Sequence, residues 1–178
     1  ENLLIKEEAD YKSDFDSFVW KFKMWCGELQ LEPDFKALQM TEEASSYVVK
    51  TSKDNQGMYK DEPTHEIGYF AYYNNGSLDN GPVPLLVGFH GGGDSSMYLT
   101  FVTEWYKVVN KYGFLYVALE NHQNVTATEA AELIAHLKEK YPVDEKRVYA
   151  TGFSMGSGKT WDMFQEYPEL FAAVAPAS

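Results

Sequence analysis

Residues 147–160 read Arg-Val-Tyr-Ala-Thr-Gly-Phe-Ser-Met-Gly-Ser-Gly-Lys-Thr, and residues 152–156 within them form a Gly-x-Ser-x-Gly pattern. Residues 148–151 are uncharged and are small, β-branched or aromatic, which predicts a short buried strand. Residues 157–167 have the spacing of a helix, with a packing side that we expect to carry Trp161, Met163 and Phe164. The stretch therefore predicts a strand, a sharp turn that holds Ser154, and a helix.

This context is typical of a nucleophile elbow, in which a strained turn pushes a serine hydroxyl out of the sheet. Glycines two residues before and after Ser154 allow neighbouring elements to approach without a Cβ clash. The turn also directs the next backbone N–H, that of Met155, toward the place where an oxyanion would form. The alternative from the residues alone is a strand-to-helix turn that merely contains a serine.

A nucleotide-binding interpretation of the same residues requires the pattern G-x-x-x-x-G-K-[ST], and Gly158-Lys-Thr160 matches its end. The first glycine would have to occupy position 153, where the chain has Phe153, and Gly152 lies one residue too early. Because a phosphate cradle depends on successive N–H groups that close on one anion, the extra residue argues against a phosphate-binding loop.

Further strands and helices alternate on either side of the elbow. The predicted elements are a strand at 66–73, a buried strand at 84–89, a helix at 96–111, a strand at 114–119, a helix after the capping box Thr126–Glu129, and a strand at 171–175. In that last helix Ala130, Leu133, Ile134 and Leu137 share one face. The alternation predicts an α/β fold with a mainly parallel sheet flanked by helices.

Three of the predicted strands are followed by residues that can take part in catalysis or binding. His90-Gly-Gly-Gly93 follows the strand at 84–89, Glu120 follows the strand at 114–119, and Ser154 follows the elbow strand. Because the carboxyl ends of parallel strands meet at one edge, we expect these residues to lie together. Glycine amides can face a ligand without obstruction, and His90 is expected to orient the loop. The candidate cleft-lining residues are His90, Asp94, Glu120 and His122.

Composition limits the partners. The chain has 178 residues and a formal net charge of −12, a balance that repels phosphate backbones and argues against nucleic acid. No apolar run reaches 18 residues, so no membrane partner is predicted. The single Cys26 and four separated histidines give no metal-ligand spacing, and no cofactor motif is present. Residues 1–64 are predicted to be an N-terminal segment that forms edge strands of the same domain, and residues 65–178 are predicted to be the N-terminal part of the α/β domain itself.

Three stretches resemble the α/β-hydrolase superfamily, and in particular its polyhydroxybutyrate depolymerase and feruloyl and acetyl-xylan esterase branch. They are Leu85-Leu-Val-Gly-Phe-His-Gly-Gly-Gly93, Lys140-Tyr-Pro-Val-Asp-Glu-Lys-Arg-Val-Tyr-Ala-Thr-Gly-Phe-Ser-Met-Gly156 and Tyr167-Pro-Glu-Leu-Phe-Ala-Ala-Val-Ala-Pro-Ala-Ser178. The resemblance implies a serine carboxylic-ester hydrolase with Ser154 as nucleophile. It also implies an oxyanion hole from Met155 and from Gly92 or Gly93, and acetyl or feruloyl esters of plant polysaccharide, or a related ester, as substrate. A secreted or extracytoplasmic location follows from it, with the cytoplasm left open.

The chain departs from this pattern in one respect. A serine needs a base, and in this fold an acid and then a histidine follow the nucleophile. The four histidines are His65, His90, His122 and His136, all before Ser154. We therefore expect the triad acid and histidine after Ser178, in a further part of the same gene product that packs on this one. The alternatives are an inactive relative that acts as a binding module, and a serine peptidase of the same fold.

Overall fold

The computed structural model describes residues 23–50 and 66–178, and the predictions for 1–22 and 51–65, including His65 and the boundary at 64, lie outside them. Within these described residues, six strands form one sheet: β1 (Met40–Val48), β2 (Glu66–Asn74), β3 (Val83–Phe89), β4 (Leu115–Leu119), β5 (Val143–Phe153) and β6 (Ala173–Ala177). Four helices connect them, besides a helical segment at 23–28: α1 (Ser96–Val102), α2 (Trp105–Tyr112), α3 (Ala127–Lys140) and α4 (Met155–Glu166).

The strand order is β1-β2-β4-β3-β5-β6. The pairs β3–β4, β3–β5 and β5–β6 are parallel, whereas β1–β2 and β2–β4 are antiparallel. The prediction of a mainly parallel α/β sheet flanked by helices is confirmed. Because β3, β4 and β5 are mutually parallel neighbours, their carboxyl ends lie side by side at one edge of the sheet.

Two apolar clusters hold helices on opposite faces of the sheet. One cluster joins α3 and Met163 of α4 to the strands, and the other joins α1, α2 and Cys26 to them. The capping box that starts α3 is present: the Thr126 hydroxyl accepts from the Glu129 N–H, and the Glu129 carboxylate accepts from the Thr126 N–H. All four predicted core positions of α3 are buried: Ala130, Leu133, Ile134 and Leu137.

The structure corrects two helix predictions. The predicted helix at 96–111 is two helices, because Glu104 adopts left-handed backbone angles (φ 56°, ψ 27°) that end one helix and start the next. Only Met163 of the predicted packing side of α4 is buried, whereas Trp161 and Phe164 are 48% and 36% exposed. The predicted buried strand at 171–175 is shifted to 173–177 and forms a half-exposed edge of the sheet.

Candidate active site

Ser154 stands alone between the last residue of β5 and the first residue of α4. Its backbone angles are φ 53° and ψ −110°, a combination that a residue with a side chain rarely adopts. The serine is exposed, and its N–H donates a hydrogen bond to the carbonyl oxygen of Ala177 at 2.9 Å, which ties the turn to β6. The turn thus presents the hydroxyl at the carboxyl edge of the sheet.

The two glycines of the Gly-x-Ser-x-Gly pattern make this turn possible. A Cβ on Gly152 would overlap the carbonyl of Gly156 and would lie 2.7 Å from Oγ1 of Thr160. A Cβ on Gly156 would overlap the carbonyl oxygen of Phe89, the last residue of β3, and would approach that of His90. Helix α4 therefore starts in direct backbone contact with β5 behind it and with the end of β3 beside it.

This contact brings the glycine loop, which consists of Gly91, Gly92 and Gly93, next to the elbow at Ser154. A Cβ on Gly91 would lie 3.3 Å from Cδ1 of Phe153, and a Cβ on Gly92 would lie 2.8 Å from Cε of Met155. The residues immediately before and after Ser154 thus flank the loop. Gly92 and Gly93 are exposed, as Ser154 is. Gly93 has a φ of 79°, which suits glycine and favours a tight turn into α1.

Met155 is the first residue of α4, so its N–H has no acceptor within the helix. A helix N-terminus also carries partial positive charge, which favours a developing anion at that point. The exposed hydroxyl of Ser154, the first amide of α4 and the glycine loop therefore surround a single small region of the surface. This arrangement has two of the parts that acyl transfer requires, a hydroxyl that can serve as nucleophile and amides beside it.

The candidate cleft-lining residues divide into two groups. Asp94 is partly exposed and folds back over the loop, because a Cβ on Gly91 would lie 2.6 Å from its Oδ2. His90, Glu120 and His122 are instead buried, with 2%, 8% and 0% of their surfaces exposed. The structure therefore corrects the expectation that these three line a cleft, because they lie beneath the loop. His90 and His122 contact the backbone carbonyl oxygens of Gly91 and His90, whereas the Glu120 carboxylate accepts from Ser96.

Burial shifts the pKa of two of these groups. Burial and, to a smaller extent, the neighbouring His90 lower the pKa of His122 to about 3, so the His122 ring is neutral. Burial raises the pKa of Glu120, although the hydrogen bonds from Ser96 oppose that shift. Across the residues that the structure describes, no group of three or more His, Cys, Asp or Glu side chains is arranged to hold a metal ion.

Two residues beside the site have roles that the sequence analysis missed. Ser96, the first residue of α1, donates to the Glu120 carboxylate from both its N–H and its hydroxyl. Lys159 of α4 is half-buried and donates to the carbonyl oxygen of Val125 at 2.5 Å. A polar residue in the first turn of a helix is a weak signal for Ser96, and the sequence offers none for Lys159.

The fold matches that of known structures. A solved thermostable esterase is 27% identical and has a TM-score of 0.51, with 68% of this chain and 40% of that chain covered. A feruloyl esterase module from Clostridium thermocellum is 15% identical with a TM-score of 0.58, over 81% of this chain and 55% of that chain. The chain has the α/β-hydrolase fold.

The α/β-hydrolase likeness extends to a curated sequence. A bifunctional acetylxylan esterase/xylanase from Neocallimastix patriciarum is 29% identical over 104 residues, which cover 53% of this chain and 16% of that protein. The resemblance to esterases of the α/β-hydrolase type is thereby confirmed. No family model matches the chain. The chain spans less than half the length of the thermostable esterase and of the acetylxylan esterase/xylanase, and about half the length of the feruloyl esterase module.

Proposed function

We propose that this chain is the nucleophile-bearing part of a serine carboxylic-ester hydrolase that forms an acyl-enzyme on Ser154. The observation that carries the proposal is the strained, exposed Ser154, whose neighbours Phe153 and Met155 contact the glycine loop. The N–H of Met155 and that of Gly92 or Gly93 would stabilise the oxyanion of the tetrahedral intermediate. Loss of one such donor typically lowers kcat about 10²- to 10³-fold.

The substrate class that we propose is an acetyl or feruloyl ester of plant polysaccharide, or a related ester. Its support is the 29% identity to a protein described as an acetylxylan esterase/xylanase, over a stretch of 104 residues. The exposed face next to the nucleophile includes the aromatic Phe153, which is 47% exposed and offers an apolar surface to an acyl group or a sugar ring. A secreted enzyme would meet such a substrate, and we propose that location.

The triad acid and histidine are proposed to lie beyond Ser178, in a further part of the same gene product. No histidine follows Ser154 in the sequence. Among the described histidines, His90 and His122 are buried and bond to backbone carbonyls, and His136 stacks on Tyr47 at 4.7 Å. Among the residues that the structure describes, no strand pairs with the outer side of β6, so a following strand would have a place to pair.

Fluorophosphonate labelling of the full gene product tests the proposal. We expect covalent labelling of wild type at Ser154, found by peptide mass spectrometry, and none of Ser154→Ala. Hydrolysis of acetyl and feruloyl esters, compared with that of peptide amides, then separates an esterase from a peptidase. An unlabelled but folded wild-type protein would contradict the proposal. It would favour the second candidate, an inactive relative that acts as a binding module. The lack of a histidine after Ser154 supports that candidate.

A further inference from the structure

The glycine loop has little internal restraint. Three consecutive glycines follow His90, and glycine has more backbone freedom than any other residue. Within residues 90–94, Nδ1 of His90 lies 2.7 Å from the Gly91 carbonyl oxygen and the Asp94 N–H donates to the same oxygen at 3.2 Å, and both contacts involve Gly91 rather than Gly92 or Gly93. Donors that stabilise an oxyanion must be held close to their working positions before the reaction begins. Contacts from outside the loop are therefore needed to fix its amides.

The entry to the loop is held by residues that follow β4. Nε2 of His122 lies 2.7 Å from the carbonyl oxygen of His90. Because a carbonyl oxygen only accepts, Nε2 must carry the hydrogen, and the neutral state of the buried ring fixes this tautomer. The ring of His90 in turn contacts the Glu120 carbonyl oxygen through Nε2. Both ends of the short turn 120–122 therefore bond to His90.

The exit from the loop is held by the same turn. The Glu120 carboxylate accepts from the Ser96 N–H at 3.0 Å and from the Ser96 hydroxyl. Ser96 starts α1, only three residues after the last glycine. Burial makes these contacts strong, because water does not compete for the carboxylate.

The turn is itself fixed to the sheet on the side away from the loop. The Glu120 N–H donates to the Gly68 carbonyl oxygen at 2.8 Å, and the Asn121 side chain donates to the Glu66 carbonyl oxygen at 3.2 Å. Both acceptors belong to β2. The turn thus connects strand β2 to both ends of the glycine loop.

We propose that Glu120 and His122 are positioning residues that hold the amides of Gly92 and Gly93 in place for the oxyanion. They do not touch the substrate, since both are buried beneath the loop. The expected effect on kcat rests on the proposed esterase function. The expectation that the turn 120–122 holds the glycine loop in place does not depend on that function.

Two variants of His122 separate positioning from packing. His122→Leu keeps the bulk and removes the N–H, whereas His122→Gln keeps a side-chain N–H that can reach the His90 carbonyl. His136→Gln is the matched control, because His136 lies on α3 and stacks on Tyr47 away from the loop. Glu120→Gln retains an acceptor for Ser96, and Ser96→Ala removes one donor with little change in volume.

Two readouts are measured on the full gene product. The first is the amide chemical shifts in ¹⁵N-glycine-labelled protein, in which signals of Gly91, Gly92 and Gly93 are assigned. The second is kcat and KM for p-nitrophenyl acetate. We expect His122→Leu to displace the loop signals and to lower kcat about tenfold to a hundredfold, less than outright loss of a donor. KM should stay within about twofold, since substrate binding does not use the oxyanion contact.

Rescue by His122→Gln, with loop signals and kcat close to wild type, supports positioning. Loop signals and kcat in His122→Leu that match those of His136→Gln would overturn the inference. If His122→Leu does not fold, Ser96→Ala gives the same two readouts. A wild type that hydrolyses no ester would contradict the proposed function alone, because the glycine signals would still test whether the turn holds the loop.

Discussion

Gly156 packs directly against the carbonyl oxygen of Phe89, so that helix α4 and strand β3 meet backbone to backbone. This contact sets the distance between the elbow and the glycine loop. Any side chain at 156 must push the two elements apart. We predict that Gly156→Ala lowers the free energy of unfolding by about 3 kcal/mol, the upper part of the usual range for overpacking. Urea unfolding followed by circular dichroism measures it.

Gly158 is the control for this prediction, because it lies in the same helix and a Cβ there would meet nothing within 4 Å. Gly158→Ala should therefore raise the free energy of unfolding by about 0.5–1 kcal/mol, the ordinary difference between the two residues in a helix. If both variants changed the free energy of unfolding in the same direction, the close contact between Gly156 and Phe89 would not explain the effect of Gly156→Ala.

The strain at Ser154 yields a second prediction. Its φ of 53° with ψ of −110° is costly for any residue with a Cβ and is tolerated by glycine. We expect Ser154→Gly to be more stable than Ser154→Ala by about 1 kcal/mol, within the usual cost of 1–3 kcal/mol for such strain. Thermal denaturation of the two variants tests this, and neither retains the nucleophile.

The same pair of substitutions at Ser157 should give the opposite order. Ser157 lies within α4 with ordinary helical geometry, and there alanine is favoured over glycine by about 1 kcal/mol. A Ser154→Gly variant less stable than Ser154→Ala would mean that the elbow is not strained.

Much of this architecture could be predicted from the sequence, where local signals agreed with the fold. The capping box of Thr126 and Glu129 and the face of α3 that carries Leu133 are examples, because both depend on spacing along one helix. The break at Glu104 could not be predicted. A residue with a side chain in the left-handed region leaves no compositional signal such as a glycine.

For the site, the sequence predicts which strand end each residue follows, but not whether its side chain is exposed. Parallel strands bring their carboxyl ends together, which predicts that Gly92, Glu120 and Ser154 lie at one edge of the sheet. Whether a polar residue at such an end faces solvent or lies beneath a loop depends on the neighbouring helix. Glu120 is buried because α1 places Ser96 over it. That pairing joins residues 24 positions apart, which no local pattern reports.

The packing of α4 gives a third prediction. Met163 is fully buried against the strands, whereas Trp161 is 48% exposed. Met163→Ala should lower the free energy of unfolding of this chain by about 2–5 kcal/mol. Trp161→Ala should lower it by less than Met163→Ala does, since about half of the Trp161 surface is already exposed. Urea unfolding of both variants measures these values, and a larger loss for Trp161→Ala would show that the packing side of α4 has been misassigned.

The buried His122 gives stability a defined dependence on pH. Its pKa is about 3 in the folded chain, below the ordinary value of 6.5. Between these two values the unfolded chain binds a proton that the folded chain does not, so folding loses stability as the pH falls. The stabilisation is complete above pH 6.5 and is lost progressively toward pH 3. From pH 7 to pH 5 this one group should lower the free energy of unfolding by about 2 kcal/mol.

His122→Gln isolates this contribution, because the amide does not titrate and can keep the bond to the His90 carbonyl. Glu120 acts in the opposite sense: its raised pKa makes the folded chain bind a proton more readily, so its contribution is lost as the pH rises. Since Glu120 is present in both proteins, its effect largely cancels in their difference. The measurement is urea unfolding at pH 7, 6 and 5. Equal losses in wild type and His122→Gln would mean that the ring is able to take up a proton in the folded state, and hence that it is not held as a neutral donor beneath the loop.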